Sequence, residues 1–475
     1  MTQSPSISRH DQELRKLDVK PDHLRRNTER TIPEKECALS EQESTTGLYL
    51  SPEIILENPG YLETLQKEIG LNLALINFTG ELPEEVTKVN PFDGSPPSDG
   101  RIRELLCHHI DGELCTQTFT SAKRSLGPHV SPEFNEKGLR EAIKQAHDLN
   151  MKVWLVGGGW TSSDFDVLMY CPGKEEVNAW YEALYVHMAA NYGADGVDIT
   201  HARYPMTSYP RGLFLCACAD CAKCAAELGY DMPSMIADLK AAAIAIKTFS
   251  GQRLLELALS RPGITDLLQI PGIRPGVLQW FCFRADLLAR NLSRFRTEVH
   301  SAAGEDFIFG TDTYPASLAM FVGHNLARWS EFSDFASPLL SHVDIFPMMT
   351  LTKWSQFLTE NGSDISESAA LRIVCEIAGY GSLEMPRTIE DFALGEPDCE
   401  YRNIPLEDLV GLDMLKSRLF LPSQVPSYPI IQGGGAPHIW PKDSVTRLKA
   451  RALELGHNGV IYQGTQDLID FEFKK

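Results

Sequence analysis

The sequence lacks an apolar run long enough to cross a membrane. A spanning helix needs about 18 or more consecutive apolar residues, and no stretch of these 475 residues approaches that length. Residues 1–30 are polar and charged, without the apolar core that defines a secretory signal. We therefore expect a protein that neither spans a membrane nor is exported, and a cytoplasmic location.

Positive charge is also scarce. Lys and Arg number 44 against 64 Asp and Glu, so the net charge is −20. Nucleic acids and anionic membrane surfaces are bound through basic patches, and we therefore expect neither as a partner. A neutral small molecule fits this composition better. The sequence leaves both a monomer and a homo-oligomer open.

Short apolar runs with strand character alternate with helical patterns along the chain. Eight such strands, each followed by a helix, are the signature of a (β/α)8 TIM barrel of the α/β class. The spacing adds long loop insertions after strands 2 and 4. The predicted strands are residues 46–50, 71–78, 152–156, 196–200, 307–312, 342–349, 428–435 and 459–464.

The domain prediction has two parts. Residues 1–44 form a polar N-terminal segment, which is either an arm packed on the surface or a disordered tail. Residues 45–475 form the barrel, which is the catalytic domain. A doubly wound open sheet is less favoured, because Gly157-Gly158-Gly159 is followed by Trp160 and not by the glycine pattern that opens a phosphate-binding helix.

Two aspartates lie at the carboxyl ends of predicted strands, where TIM-barrel enzymes hold their active sites. Asp198 shares one face of strand 4 with Thr200, and Asp312 ends strand 5. A carboxylate buried in this end of the barrel, the mouth, needs a partner or a chemical role. A hydrogen-bonding role for Asp198 and a turn role for Asp312 are the alternatives. Glu376 and Glu384 are further candidates for acid or base.

Polar and aromatic side chains follow the same strand ends. The candidates for substrate binding are His201, Arg203 and Tyr204 after strand 4, Trp160 after strand 3, and Gln432, His438 and Trp440 at and after the end of strand 7. Aromatic rings at a barrel mouth commonly stack on the C–H faces of sugars. Trp160 and Trp440 are the candidates for such a platform, and ordinary loop packing is the alternative for both.

Cysteines are concentrated in one segment. Cys216, Cys218, Cys221 and Cys224 place four of the eleven cysteines within nine residues. In a reducing compartment such spacing favours a metal over disulfides. The first three would supply ligands to a structural zinc, and either Cys171 or Cys224 the fourth. We prefer Cys171, because the loops after strands 3 and 4 are neighbours at a barrel mouth. Reduced, buried thiols without metal are the alternative.

Two motifs resemble known glycosidase families. Cys171 followed by the C-x-C-x2-C run resembles glycoside hydrolase family 42, whose members hold a structural zinc with such a set. Residues 195–205, DGVDITHARYP, resemble the D-G-[IV]-x-[LF]-D-Y-x-R-Y-P signature of family-10-like glycosyl hydrolases. Residues 310–315 and 322–324 look like the fifth-strand segment of the same group. The resemblance spans about residues 45–470 and implies a glycosidase barrel with a structural zinc.

The chain departs from both families at the positions that carry their chemistry. The strand-four Asp of the signature falls at Thr200, with a carboxylate at Asp198 instead. The family 42 nucleophile position on strand 7 is Gln432, which cannot act as a nucleophile, and the Asn-Glu pair on strand 4 has no match. The resemblance therefore does not carry over a pair of catalytic carboxylates.

The sequence favours a glycoside hydrolase that cleaves small glycosides. In this hypothesis Asp198 is the nucleophile or base, and Asp312 or Glu376 is the general acid with a pKa raised by burial. One alternative is a metal-dependent lyase or isomerase acting on a sugar derivative, with Asp198, His201 and Asp312 as ligands. The other is a non-catalytic sugar-binding barrel, suggested by Thr200 and Gln432.

Overall fold

The computed structural model describes most of the chain from residue 44 to residue 473. The described residues are 44–89, 107–113, 136–161, 168, 170–206, 211–248, 251–260, 266, 269, 273–361, 365–394, 404–434 and 440–473. Two sequence predictions lie outside this set: the N-terminal segment 1–44, apart from its last residue, and His438. None of the described helices combines the length and apolarity that a bilayer crossing requires.

Eight parallel strands form one sheet in the order β6-β5-β4-β3-β2-β1-β8-β7. Single parallel bridges, Ala336 to Ser427 and Leu339 to Ile430, connect β6 to the β7 side and bring the two sheet ends together. The strands are β1 Thr45–Leu50, β2 Leu73–Asn77, β3 Lys152–Gly158, β4 Gly196–Thr200, β5 Ile308–Thr313, β6 Ala336–Pro338, β7 Ile430–Gln432 and β8 Gly459–Gln463. The predicted (β/α)8 TIM barrel is confirmed.

Helices follow the strands and surround the sheet. They are α1 Pro52–Glu57, α2 Tyr61–Ile69, α3 Glu84–Lys88, α4 Glu136–Asp148, α5 Glu175–Asn191, α6 Ala219–Glu227, α7 Met232–Thr248, α8 Gly251–Leu259, α9 Pro275–Ala303, α10 Met349–Asn361, α11 Glu367–Ile377, α12 Leu406–Phe420 and α13 Lys442–Glu454. Long connections follow β2 and β4, as predicted. The second of these carries α6 to α9.

The predicted sixth strand was wrong. Residues 342–349 do not form a strand: Asp344–Met348 is a turn of π-helix that leads directly into α10. The true β6 is Ala336–Pro338, which pairs with Thr311 to Thr313 of β5. A short apolar run cannot distinguish a strand from a buried helical segment, and Pro347 inside the run was the signal against a strand.

Aromatic rings fill the lower part of the barrel. Trp154 stacks on Phe335 with ring centroids 4.3 Å apart and meets Tyr428 edge-on at 6.0 Å. Two glycines make room for this aromatic layer (Trp154, Phe335 and Tyr428). A Cβ at Gly196 would lie 2.7 Å from Trp154, and one at Gly310 would lie 2.5 Å from Phe335.

The aromatic layer determines where polar residues can lie. Asp198 and Asp312 each follow one of these glycines by two residues, so they share its face and lie nearer the mouth. The register supports this placement, since Asp198 pairs with Gly310 and Asp312 with Ser337. Both carboxyls therefore project inward above an apolar floor.

Candidate functional site

Asp198 is a fully buried carboxyl with one hydrogen-bond donor. The hydroxyl of Tyr49, on β1, donates to its Oδ2 at 2.8 Å. Its Oδ1 is buried and has no hydrogen-bond partner among the described residues. Burial, followed by repulsion from Asp312, raises the pKa of Asp198 to about 8, although the bond from Tyr49 lowers it. The group therefore tends to carry a proton near neutral pH.

Asp312 is the second buried carboxyl of the mouth. Both of its oxygens accept the backbone N–H of His201, each at 3.3 Å. Burial raises the pKa of Asp312 to about 6, and the charge of Arg203 and the His201 amide oppose that rise. Asp312 is thus ionised over a pH range in which Asp198 is still protonated.

Arg203 is the buried cation whose charge acts on Asp312. Its guanidinium carbon is 4.9 Å from the ring centroid of Tyr314 and 5.1 Å from that of Phe346. Its Nη1 donates to the carbonyl of Tyr204 at 3.2 Å. The two rings hold this buried cation where its charge stabilises the Asp312 carboxylate.

Close backbone packing fixes the loop that follows β4. His201 has a φ of +59°, which only a minority of side-chain-bearing residues adopt. The N–H of Gly159 donates to the carbonyl of Thr200 at 2.7 Å, and a Cβ at Gly159 would lie 2.6 Å from Ala202. The last of the three consecutive glycines is therefore a packing residue that lets the end of β3 approach this loop.

The two tryptophans predicted as platforms are buried. Trp160 is 1% exposed, stacks on Phe295 and donates its Nε1 hydrogen to Asn178. Trp440 is also 1% exposed. Such burial is what ordinary loop packing predicts, and a role for either ring as a sugar platform stays a prediction.

Three other predicted residues lie away from the acids or are already bound. Tyr204 is buried, with its ring under the guanidinium of Arg284. Gln432 lies at the end of β7 and donates from Nε2 to the carbonyl of Gly434 at 2.8 Å. Glu376 forms an ion pair with Arg372 on its own helix, α11. No described contact joins Glu376 to Asp198 or Asp312.

Three polar side chains of the mouth form a closed cycle of hydrogen bonds, here called the polar ring, which the sequence did not predict. Ser341 donates to Oε1 of Gln463 at 2.8 Å, and its hydroxyl lies 2.8 Å from Nδ1 of His342. The Gln463 amide closes the ring, with Nε2 3.3 Å from Nε2 of His342. These contacts fit a histidine protonated on Nδ1. Gln463 ends β8, so the strand-end argument applied to Gln432 could have identified it.

The described carboxylates do not form an open metal site. The only group of three or more His, Cys, Asp or Glu ligand atoms within 4.8 Å of one another, among the described residues, is a set of cysteines. His201 meets Asp312 through its backbone amide. The ligand set suggested for a lyase, Asp198, His201 and Asp312, is therefore not assembled.

Four buried cysteines form a cluster that could hold a metal ion. The sulfurs of Cys171, Cys216, Cys218 and Cys221 lie within 4.8 Å of one another. Three of them accept backbone N–H groups: Cys216 from His108 at 3.1 Å, Cys171 from Gly173 at 3.3 Å, and Cys218 from Cys221 at 3.5 Å. Such bonds stabilise thiolates.

Close contact between the sulfurs shifts their pKa values in opposite directions. Burial raises the pKa of Cys171, but hydrogen bonds from Cys107, Cys218 and Cys221 outweigh it and lower the pKa to about 6, whereas hydrogen bonds with Cys171 and Cys216 raise the pKa values of Cys218 and Cys221. Cys224 lies apart, since its sulfur faces the Gly173 carbonyl and accepts a hydrogen bond from Arg290 at 3.0 Å. The geometry therefore groups Cys171, and not Cys224, with the C-x-C-x2-C run.

The solved structures to which this chain is similar include three glycosidases. No protein-family model matches it, and neither does any curated protein. The catalytic domain of β-amylase from Paenibacillus polymyxa is 10% identical, with 90% of this chain and 94% of that chain covered and a TM-score of 0.37. α-L-fucosidase isoenzyme 2 from Paenibacillus thiaminolyticus is 11% identical, with 89% and 64% covered and a TM-score of 0.30.

A glycoside hydrolase family 18 N-acetylglucosaminidase from Paenibacillus barengoltzii is 13% identical, with 63% and 54% covered and a TM-score of 0.26. The chain spans less than two thirds of the length of this enzyme and of the fucosidase. Likeness at this level concerns the architecture and carries no argument about the reaction.

Proposed function

We propose that this protein is a glycoside hydrolase that cleaves small glycosides with Asp198 and Asp312. The observation that carries the proposal is the pair itself, two buried carboxyls on adjacent strands at the mouth. Their pKa values are raised to about 8 and about 6. Two carboxyls whose environments separate their pKa values can serve as the acid and the base of glycoside hydrolysis.

Electrostatics favour Asp198 as the general acid. Its Oδ2 accepts from Tyr49, which leaves Oδ1 as the atom that carries the proton to the glycosidic oxygen. Asp312, held as carboxylate by Arg203 and the His201 amide, then attacks the anomeric carbon or takes a proton from water. This reverses the roles expected from the sequence, because the pKa of Asp198 is raised further than that of Asp312.

Substrate hydroxyls would meet Arg203 and the ring of Ser341, His342 and Gln463. Ser341 follows β6 and Gln463 ends β8, so both lie at the same end of the barrel as the acids. His342 and Gln463 are partly exposed and combine donors with acceptors. Sugar hydroxyls are recognised by such groups.

We further propose zinc as the ion of the cysteine cluster. Four sulfurs without an open position match a structural, tetrahedral zinc site. The ligands come from the loops after β3 and β4, so the ion would fasten the loop that carries His201 and Arg203. Thiols bind metal only while reduced, so with the zinc we propose a reducing compartment such as the cytoplasm.

A non-catalytic sugar-binding barrel is the second candidate. It is favoured by the complete burial of Asp198 and Asp312, which are 0% and 1% exposed. A substrate would have to open the mouth before reaching them. In that case Arg203 and the polar ring would bind a sugar without turnover.

A glycosidase panel with matched variants separates these functions. Chromogenic and natural α- and β-glycosides are incubated with wild type, Asp198→Asn and Asp312→Asn. Asp413→Asn is the control, since Asp413 is a buried aspartate of α12 that accepts from Ser317 and Tyr380 and has no described contact with Asp198 or Asp312. We expect a loss of at least about 100-fold in kcat for the two mouth variants and little change for the control.

Full turnover in Asp198→Asn or Asp312→Asn would overturn the assigned chemistry. Absence of hydrolysis across the panel, together with saturable sugar binding by calorimetry, would favour the binding barrel.

A further inference from the structure

His324 is a buried imidazole that bonds to the loops after β4 and β5. It follows the short 3-10 helix Ala319–Val322 and is 2% exposed. Its Nδ1 accepts the backbone N–H of Tyr314, after β5, at 3.0 Å. Its Nε2 lies 3.2 Å from the carbonyl oxygen of Ala202, after β4. One side chain therefore joins the two loops that follow the strands of the carboxyl pair.

These two contacts define the protonation state of the ring. A carbonyl oxygen only accepts, so Nε2 carries a hydrogen, and a backbone N–H only donates, so Nδ1 carries none. Burial favours the same neutral form. It lowers the pKa of His324 to about 3, with the hydrogen bond to Ala202 opposing this shift and the charge of Arg203 adding to it. Both contacts therefore persist at the pH values at which Asp198 and Asp312 titrate.

On the β4 side, His324 holds the backbone between two residues of the site. Ala202 follows His201, whose N–H donates to both oxygens of Asp312 at 3.3 Å. Ala202 also precedes Arg203, whose own N–H donates to the carbonyl of His201 at 2.8 Å. A shift of the Ala202 carbonyl would therefore move the amide that Asp312 accepts.

On the β5 side, His324 holds the residue that packs on the buried cation. Tyr314 follows Asp312 by two residues, and its ring centroid is 4.9 Å from the guanidinium carbon of Arg203. The imidazole is itself held by the ring of Trp329, whose centroid is 5.1 Å away in an edge-on arrangement. The bond from the Tyr314 N–H to His324 therefore fixes where the loop after β5 stands relative to the loop after β4.

We propose that His324 is a positioning residue that keeps the loops after β4 and β5 at the spacing at which Asp312 accepts the His201 amide. Without the imidazole these loops would be free to separate, the hydrogen bond to Asp312 would lengthen, and the carboxylate would be harder to form. The expected effect on the rate rests on the proposed function. The effect on the titration of Asp312 does not.

Unfolding in urea follows the titration of Asp312 without a substrate. All proteins in this comparison carry Asp198→Asn, because the neighbouring acid would otherwise titrate in response to Asp312. The free energy of unfolding is compared between proteins with Asp312 and with Asp312→Asn. Since burial raises the pKa of Asp312 from 3.8 to about 6 in the folded protein, the stability that Asp312 contributes falls as pH rises and levels off above about pH 6. The other groups that act on the two acids are Arg203, the His201 amide and Tyr49, which every variant retains.

Three substitutions of His324 separate its two hydrogen bonds. His324→Leu removes both and keeps most of the side-chain volume, so the pH at which the contribution of Asp312 levels off should move upward by at least about half a unit. His324→Asn keeps an acceptor near the position of Nδ1, and His324→Gln keeps a donor near that of Nε2. Each should therefore show a smaller shift than His324→Leu.

His457→Leu is the matched control. His457 is also buried and bonded through both nitrogens, with Nδ1 2.9 Å from the hydroxyl of Ser427 and Nε2 3.1 Å from the carbonyl of Met414. It precedes β8 and so lies at the end of the barrel opposite the mouth. Its loss should lower stability and leave the titration of Asp312 unchanged.

Hydrolysis gives a second measurement, made in proteins that retain Asp198. In His324→Leu the acidic limb of kcat/KM should move to higher pH, because the base must be ionised, and kcat should fall at least about tenfold. Full turnover in Asp312→Asn would remove the proposed function, and the urea titration would still decide the role of His324.

A levelling pH that stays in place in folded His324→Leu overturns the proposal. An equal shift in His457→Leu also overturns it, because the effect would then be a general loosening of the barrel. Should His324→Leu fail to fold, His324→Asn and His324→Gln decide, and no shift in either variant would overturn the proposal as well.

Discussion

Tyr49 on β1 reaches across the inside of the barrel and donates its hydroxyl hydrogen to Asp198 on β4, at 2.8 Å. The two residues are 149 positions apart in the chain, and the closed sheet brings them together. This bond stabilises the ionised form of Asp198, while burial opposes ionisation more strongly. Tyr49 therefore limits how far the pKa of this carboxyl rises.

Tyr49→Phe should shift the alkaline limb of the pH profile upward. With the donor gone, the pKa of Asp198 rises above about 8. A general acid works while protonated, so activity would persist to higher pH. The measurement is kcat/KM against pH for wild type, Tyr49→Phe and the control Tyr61→Phe, which loses a buried hydroxyl bonded to Thr465. An alkaline limb that stays in place or moves down would contradict the role of Asp198 as acid.

Asp198 should also make stability depend on pH. Its pKa is raised from 3.8 to about 8 in the folded state, so between these values the folded protein holds a proton that the unfolded chain releases. Stability is then lost as pH rises, by up to about 1.4 kcal/mol per pH unit. The side-chain amide of Asp198→Asn does not titrate. The free energy of unfolding of this variant, measured in urea, should therefore rise relative to that of wild type from pH 5 to pH 8. A difference in the free energy of unfolding that stays constant across that range would contradict the raised pKa of Asp198.

The positions of Asp198 and Asp312 could be predicted because local rules fix them. A residue at the end of a parallel strand faces the mouth, and the period of two sets which neighbours share its face. The prediction of the cysteine cluster likewise depended on spacing along a short segment of the chain. The barrel itself followed from repeated alternation of strands and helices.

The missed features depend on tertiary packing. Tyr49 reads as one more apolar residue of a buried strand, and only its partner across the barrel gives it a role. β6 consists of Ala336, Ser337 and Pro338, which have weak strand propensity, so pairing with β5 alone defines it. Trp160 follows a strand end like a mouth residue but packs against Phe295.

Metal binding should distinguish Cys171 from Cys224. Both were candidates for the fourth ligand, and only the sulfur of Cys171 lies in the cluster. Cys171→Ser should lose most of the bound metal and unfold at a lower temperature, since structural metal sites contribute directly to folding free energy. Cys224→Ser should keep the metal. The metal content per chain is measured by plasma emission spectroscopy. Loss of metal in Cys224→Ser, with metal retained in Cys171→Ser, would place Cys224 in the site.

An alanine substitution should destabilise the protein more at Gly310 than at Gly158, although both glycines lie in strands of the barrel. A Cβ at Gly310 would lie 2.5 Å from Phe335 and 2.5 Å from the hydroxyl of Ser333, both within the packed barrel. A Cβ at Gly158, at the end of β3, would meet no atom within 4 Å. Gly310→Ala must therefore displace the aromatic layer, at a cost of about 1–3 kcal/mol.

Gly158→Ala is the matched control, and it should be neutral or slightly stabilising, because alanine restricts the unfolded chain. Urea unfolding of both variants against wild type measures the difference. Displacing Phe335 should also disturb Asp312, which follows Gly310 by two residues on the same face. Equal stabilities for the two variants would mean that the barrel interior is looser than these contacts indicate, and that the aromatic layer does not set the height of the carboxyl pair.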